Sequence, residues 1–156
     1  MKKTIFTIFF LSIIFSAEYS YSQLTKATIG VDGFTCSLCA KGVEGQFESL
    51  DFVKSVKADL KNTLFVLTFK SKPAINIKDL NSAVTDGGFS VRNISIVAKG
   101  TIKGNSTSGY WLSASNIPEI KLKDVEGSFT DGDKISIEGV VNPKDISISV
   151  TSIKKL

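Results

Sequence analysis

Histidine is absent from this 156-residue sequence, and its one methionine is Met1. There is thus no imidazole for a metal site or for acid–base catalysis, and no thioether ligand beyond the first residue. Cysteine is scarce: Cys36 and Cys39 are the only two. That excludes a disulfide framework. A single pair three residues apart closes so small a loop that it restricts the unfolded chain little, so stabilisation is a weak explanation for it. Long apolar runs are also missing. The one candidate, Ile5 to Phe15, is shorter than the roughly 20 residues of a membrane-spanning helix. The formal charge of +4 is spread among interleaved acids with no basic block, which argues against nucleic acid as a partner.

The amino terminus has the layout of a secretory leader. Lys2 and Lys3 precede the apolar run, and Ser20 and Ser22 flank Tyr21 after it. Cleavage after Ser22 is expected to remove residues 1–22 and to send the remainder to the periplasm or outside the cell, with no stable membrane insertion. A retained amino-terminal anchor is the alternative. No cysteine lies near the cut to accept a lipid.

Residues 23–97 alternate between strand and helix periods. Ala27, Ile29 and Val31 share one face of a strand that ends at Asp32-Gly33. Ala40, Val43, Phe47 and Leu50 then follow at helical steps of three and four. Val53 to Asp59 and Leu64 to Phe69 read as two strands joined by the polar turn Lys61-Asn62-Thr63. Asn76 can cap a helix whose stripe is Ile77, Leu80 and Val84, and Asp86-Gly87-Gly88 ends it. Phe89 to Val97 returns as a strand. This order is βαββαβ, the ferredoxin-like arrangement, with two helices over one face of a four-stranded sheet. Leu64 and Val66 are expected on the opposite face, either as scattered surface residues or against a second domain.

Helical periodicity stops after Val97, and the fold class is therefore α+β with a small all-β domain at residues 98–156. Strands are expected at Ala98–Lys103, Gly109–Ser115, Ile120–Val125, Lys134–Val141 and Ile146–Ile153. Turns are expected at Gly104-Asn105, Asn116–Pro118, Asp131-Gly132 and Asn142-Pro143. Such spacing suggests a small barrel or sandwich. The stretch from Phe129 to Val140 resembles the turn-and-strand pattern of OB-like barrels. Tyr110 and Trp111 are neighbours on a strand and must face opposite sides. Asp131 and Asp133 flank Gly132, which fits a β-turn better than a hard-cation site.

Cys36-x-x-Cys39 carries the chemistry. Two thiolates separated by two residues can turn toward one point, and soft sulfur favours Cu(I), Zn(II) and other soft ions. Cu(I) and Hg(II) accept a near-linear pair of sulfurs, whereas Zn(II) wants four ligands. A helix amino terminus follows and stabilises negative sulfur. Cys36 is expected to be the more exposed thiol, with Cys39 partly covered in the first turn.

The run Gly33-Phe34-Thr35-Cys36-Ser37-Leu38-Cys39-Ala40-Lys41-Gly42-Val43, between a strand and a helix, resembles the heavy-metal-associated domain family of copper chaperones, copper-ATPase modules and the periplasmic mercuric-ion carrier. Gly33, Thr35, both cysteines and Val43 match its pattern; Phe34 stands where methionine is usual. The resemblance runs through Val53–Leu60 and ends near Gly87–Val91. It implies Cys36 and Cys39 as metal ligands, with Phe34, Thr35, Phe89 and Lys41 around them. Phe34 would pack beneath the loop. Phe89 resembles the ATPase-module type; a core aromatic is its plainer role. Lys41 would steer an acidic partner or temper the metal–dithiolate charge, or be a solvated lysine. The family also implies a non-enzymatic protein that takes Cu(I), or else Hg(II) or Zn(II), from a donor. It would pass the ion to a membrane metal transporter or metallochaperone, as a monomer or a metal-bridged dimer. Two other readings stand beside it: a thiol–disulfide oxidoreductase using the same pair, and an adaptor whose β-domain binds a protein.

Overall fold

The computed structural model describes residues 22–33 and 36–156. The expected leader up to Tyr21, and both Phe34 and Thr35, lie outside them. The elements are β1 (Gln23–Asp32), α1 (Ser37–Glu48), β2 (Val53–Asp59), β3 (Leu64–Phe69), α2 (Ile77–Thr85), β4 (Ser90–Asn105), β5 (Gly109–Ala114), β6 (Ile117–Lys123), β7 (Lys134–Asn142) and β8 (Ser147–Lys155). No helix among the described residues is long and apolar enough to cross a membrane.

β2, β3, β1 and β4 form an antiparallel sheet in that order. Ala27, Ile29, Val31, Phe65 and Leu67 alternate onto its covered face, as a period of two requires. The helices close that face with Ala40, Val43 and Phe47 from α1 and with Ile77, Leu80, Ala83 and Val84 from α2. The rings of Phe47 and Phe65 meet at 5.5 Å across this core. Leu64 and Val66 fall on the opposite face and are half-buried.

The expected strands Phe89–Val97 and Ala98–Lys103 are one continuous strand, β4. Nothing between Val97 and Lys99 breaks a strand; the change of composition there marks a change of neighbours instead. Ile94, Ile96, Ala98 and Ile102 form one buried row that passes from the first core into the second. At Gly100, on this row, an added Cβ would come within 2.7 Å of the Ser113 carbonyl.

Beyond that point the sheet closes. β4 pairs with β5, β5 with β6, β6 with β8, β8 with β7, and β7 returns to β4, giving a five-stranded barrel in which only β6–β8 is parallel. β7 lies along β4 from Ser95 to Thr101, so the barrel also covers the outer edge of the first sheet. Tyr110 is buried and Trp111 faces outward.

The expected turn at Asn116–Pro118 is tighter than its composition suggests. β6 starts at Ile117, and Pro118 sits where the β5–β6 register shifts, so the ladder needs no N–H from it. Asn116 makes the corner and is buried. Its side chain accepts from the Leu24 N–H at 2.7 Å and donates to the Leu24 carbonyl at 3.0 Å. Its own carbonyl accepts from the Ile75 N–H at 2.7 Å. Leu24 lies beyond the β1–β3 pairing, so Asn116 supplies the partner that β3 no longer reaches. Ser22, the last residue of the expected leader, holds the barrel as well: its carbonyl accepts from the Ser115 N–H and hydroxyl.

Candidate metal centre

β1 ends at Asp32, and Gly33 turns the chain at φ +99°, a conformation that favours glycine. Cys36 is the N-cap of α1, with extended backbone angles, and its Sγ accepts from the Cys39 N–H at 3.1 Å. The –x–x– spacing makes that cap possible, because a cap side chain reaches the amide two or three residues on. Cys36 and Cys39 are joined as a disulfide, with Cα atoms 5.3 Å apart. Cys36 is exposed; Cys39 is half-buried against the core. The first turn of α1 holds no acid, so nothing there opposes the pull of the helix terminus on a thiolate.

Phe89 and Lys41 are placed differently relative to this loop. Phe89 lies just before β4, packs against the core, and brings its ring to 3.7 Å from where a Gly33 Cβ would stand. Lys41 is on the exposed side of α1. Phe34 and Thr35 lie outside the described residues. Among the described residues no group of three His, Cys, Asp or Glu could hold a metal, so when reduced the site offers two sulfurs. Asp131 and Asp133 are used in turns: Asp131 accepts from the Gly104 N–H, and Asp133 from the Thr130 N–H and from Lys155. Lys155 and the Thr130 N–H hold the Asp133 carboxyl below its ordinary range.

Two features beside the loop have no simple signature in sequence. Leu38, between the cysteines, is 77% exposed. The clue is its absence from the Ala40–Val43–Phe47 stripe. Arg92 donates to Asp32 at 2.9 Å, to the Thr63 hydroxyl at 3.1 Å and to the Asn62 carbonyl at 3.1 Å, tying the end of β1 to the β2–β3 turn. No local pattern announces a contact between residues so far apart in the chain. Pro73, in cis linkage with Lys72, follows β3 at the barrel end of the sheet, away from the cysteines.

Residues 28–90 match the family model of the heavy-metal-associated domain. Over 68 residues the sequence is 29% identical to the copper chaperone CopZ of Bacillus subtilis (strain 168), an alignment that spans 44% of this chain and 97% of that protein. Among solved structures, oxidised MerP from Ralstonia metallidurans is 28% identical, with a TM-score of 0.39, covering 43% of this chain and 94% of MerP. A yeast copper transporter domain is 21% identical, with a TM-score of 0.40, covering 46% of this chain and 93% of that domain.

Proposed function

We propose, from the heavy-metal-associated domain that residues 28–90 form, that this chain captures Cu(I) between Cys36 and Cys39 and hands it to another protein. One observation carries the reading: two sulfurs converge at the amino terminus of α1, and among the described residues no third Cys, His, Asp or Glu joins them. Cu(I) is satisfied by two thiolates, Hg(II) equally so, while Zn(II) would need ligands from water or a second molecule. The CopZ likeness favours copper. Exposed Cys36 can be approached by a partner's thiolate, so the ion moves by ligand exchange and no covalent catalysis is needed. A membrane metal transporter or a metallochaperone is the proposed donor or acceptor. The working form is a monomer, or a dimer sharing one ion between two cysteine pairs.

The disulfide must first accept two electrons and two protons, for instance from a dithiol, before metal can bind. This ties function to the compartment. The leader-like start supports export, and export makes the oxidised pair a resting state. In the barrel, the cyclic order β4–β5–β6–β8–β7 with β6 and β8 parallel supports an OB-like assignment, and β4 fixes the barrel to the metal domain without a hinge.

Competition among Cu(I), Hg(II) and Zn(II) for the reduced protein tests the proposal. Cu(I) bound more tightly than by the Cys36→Ser/Cys39→Ser variant supports it; equal binding by the two proteins ends it. A second reading rests on the exposed disulfide itself. If the oxidised protein exchanges with substrate dithiols at a catalytic rate, and the same variant abolishes this, the pair is an oxidoreductase centre instead.

A further inference from the structure

A cleft of about 540 Å³ opens between the start of α2 and the barrel, at the end of β1 remote from the cysteines. Its size lies within the range of small-molecule sites. The metal domain contributes Ile75, Ile77 and Lys78; the barrel contributes Trp111, Pro118 and Ile120. Ile75, Ile77 and Ile120 are themselves buried, so this wall is held by both cores.

Trp111 is set as a platform. It stands across from Lys103 on β4 and Lys121 on β6. The six-membered ring of its indole lies over the β4–β5 hairpin: a Cβ at Gly104 would come within 3.1 Å of it, and one at Gly109 within 3.5 Å. Glycine at both positions lets the ring lie close to the strands.

The charges of the cleft do not balance. Two acids line it, and both are engaged from outside its lining. Glu119 is paired with Lys103 at 2.6 Å. Asp145 is paired with Lys123 at 2.6 Å and accepts from the Ser147 hydroxyl at 2.7 Å. The two lysines of the lining, Lys78 and Lys121, make no ion pair among the described residues. The cleft therefore combines apolar walls, an aromatic platform and two uncompensated cations.

We propose that this cleft is a second binding site, for a small planar organic anion: a ring that stacks on Trp111 and carries a phosphate, sulfonate or carboxylate toward Lys78 and Lys121. Stacking supplies shape-tolerant affinity, and a charge-assisted contact to lysine selects the anion. The site is independent of the cysteines and can be occupied whether or not they hold metal.

Trp111 is the only tryptophan in the sequence, so its fluorescence reports the site directly. Full-length protein is titrated with AMP, with a naphthalene sulfonate, with adenosine and with inorganic phosphate. Saturable quenching by AMP or the sulfonate is expected, with adenosine about tenfold weaker and phosphate silent at the same concentrations. Lys78→Gln and Lys121→Gln, both at exposed positions, should each weaken the anion about tenfold while leaving the adenosine response unchanged. Calorimetry on Trp111→Leu should show the anion lost. The proposal is overturned if neither anion saturates, or if either binds both lysine variants as tightly as it binds the parent protein.

Discussion

Replacing Asn116 with alanine removes the polar link at the junction of the two cores. The Leu24 N–H and carbonyl, on a residue 1% exposed, lose their partners at 2.7 and 3.0 Å. Each buried backbone group left unpaired costs about 1–3 kcal/mol. A water entering the space of the missing carboxamide can restore part of that, so the variant should lose about 3 kcal/mol. For a chain of this length that lowers Tm by roughly 10 °C. Thermal and urea unfolding of the oxidised protein are the assays. Asn116→Asp gives an internal control. It keeps the acceptor for the Leu24 N–H but loses the donor and sets a charged oxygen against the Leu24 carbonyl. Its deficit should therefore shrink as pH falls and the carboxyl protonates. A loss below about 1 kcal/mol for Asn116→Ala would show instead that water replaces the side chain fully.

Cys36→Ser keeps an oxygen at the N-cap of α1, so the variant should unfold within about 1 kcal/mol of the reduced parent while losing its metal, as checked by urea titration and metal analysis. Gly100→Ala should cost about 1–3 kcal/mol, since its Cβ meets the Ser113 backbone, whereas Gly42→Ala, with open space around it in α1, should gain about 0.5–1 kcal/mol; paired denaturation curves compare the two signs. The Asp145 carboxyl is lowered from 3.8 to about 2 by hydrogen bonds from Lys123 and then Ser147. Its contribution is therefore present above pH 4 and lost as pH falls toward 2. Asp133 and Asp59 are also lowered and act in the same sense. Tm measured against pH should fall on that acid limb, and Asp145→Asn should make the limb shallower.

The βαββαβ order is legible in sequence because each of its elements carries its own period, and turn residues such as Asp32-Gly33 and Gly87-Gly88 separate them. The five strands of the barrel are legible too. Their closure is not, because it depends on β7 returning to β4, a pairing between residues such as Ala98 and Ile137 that no local pattern links. The continuity of β4 is hidden for a related reason: one strand serves two cores, so its surroundings change while its backbone does not. At the candidate site, the closeness of Cys36 and Cys39 is visible from spacing alone, since the cap, the helix terminus and the pair are consecutive. Arg92, which reaches Asp32 and Thr63, and the cleft beneath Trp111 are products of tertiary contact. They join segments whose composition is ordinary on each side.

The proposed function depends on a soft-ion site made of the Cys36 and Cys39 sulfurs. Copper K-edge absorption tests it most directly, on protein reduced by a phosphine, loaded with one equivalent of Cu(I) and freed of other thiols. A first shell of sulfur without nitrogen is expected, two sulfurs from a monomer or more where two copies share the ion, and it should be absent from the Cys36→Ser/Cys39→Ser variant. A shell of nitrogen or oxygen alone, or the same spectrum from the variant, would contradict it.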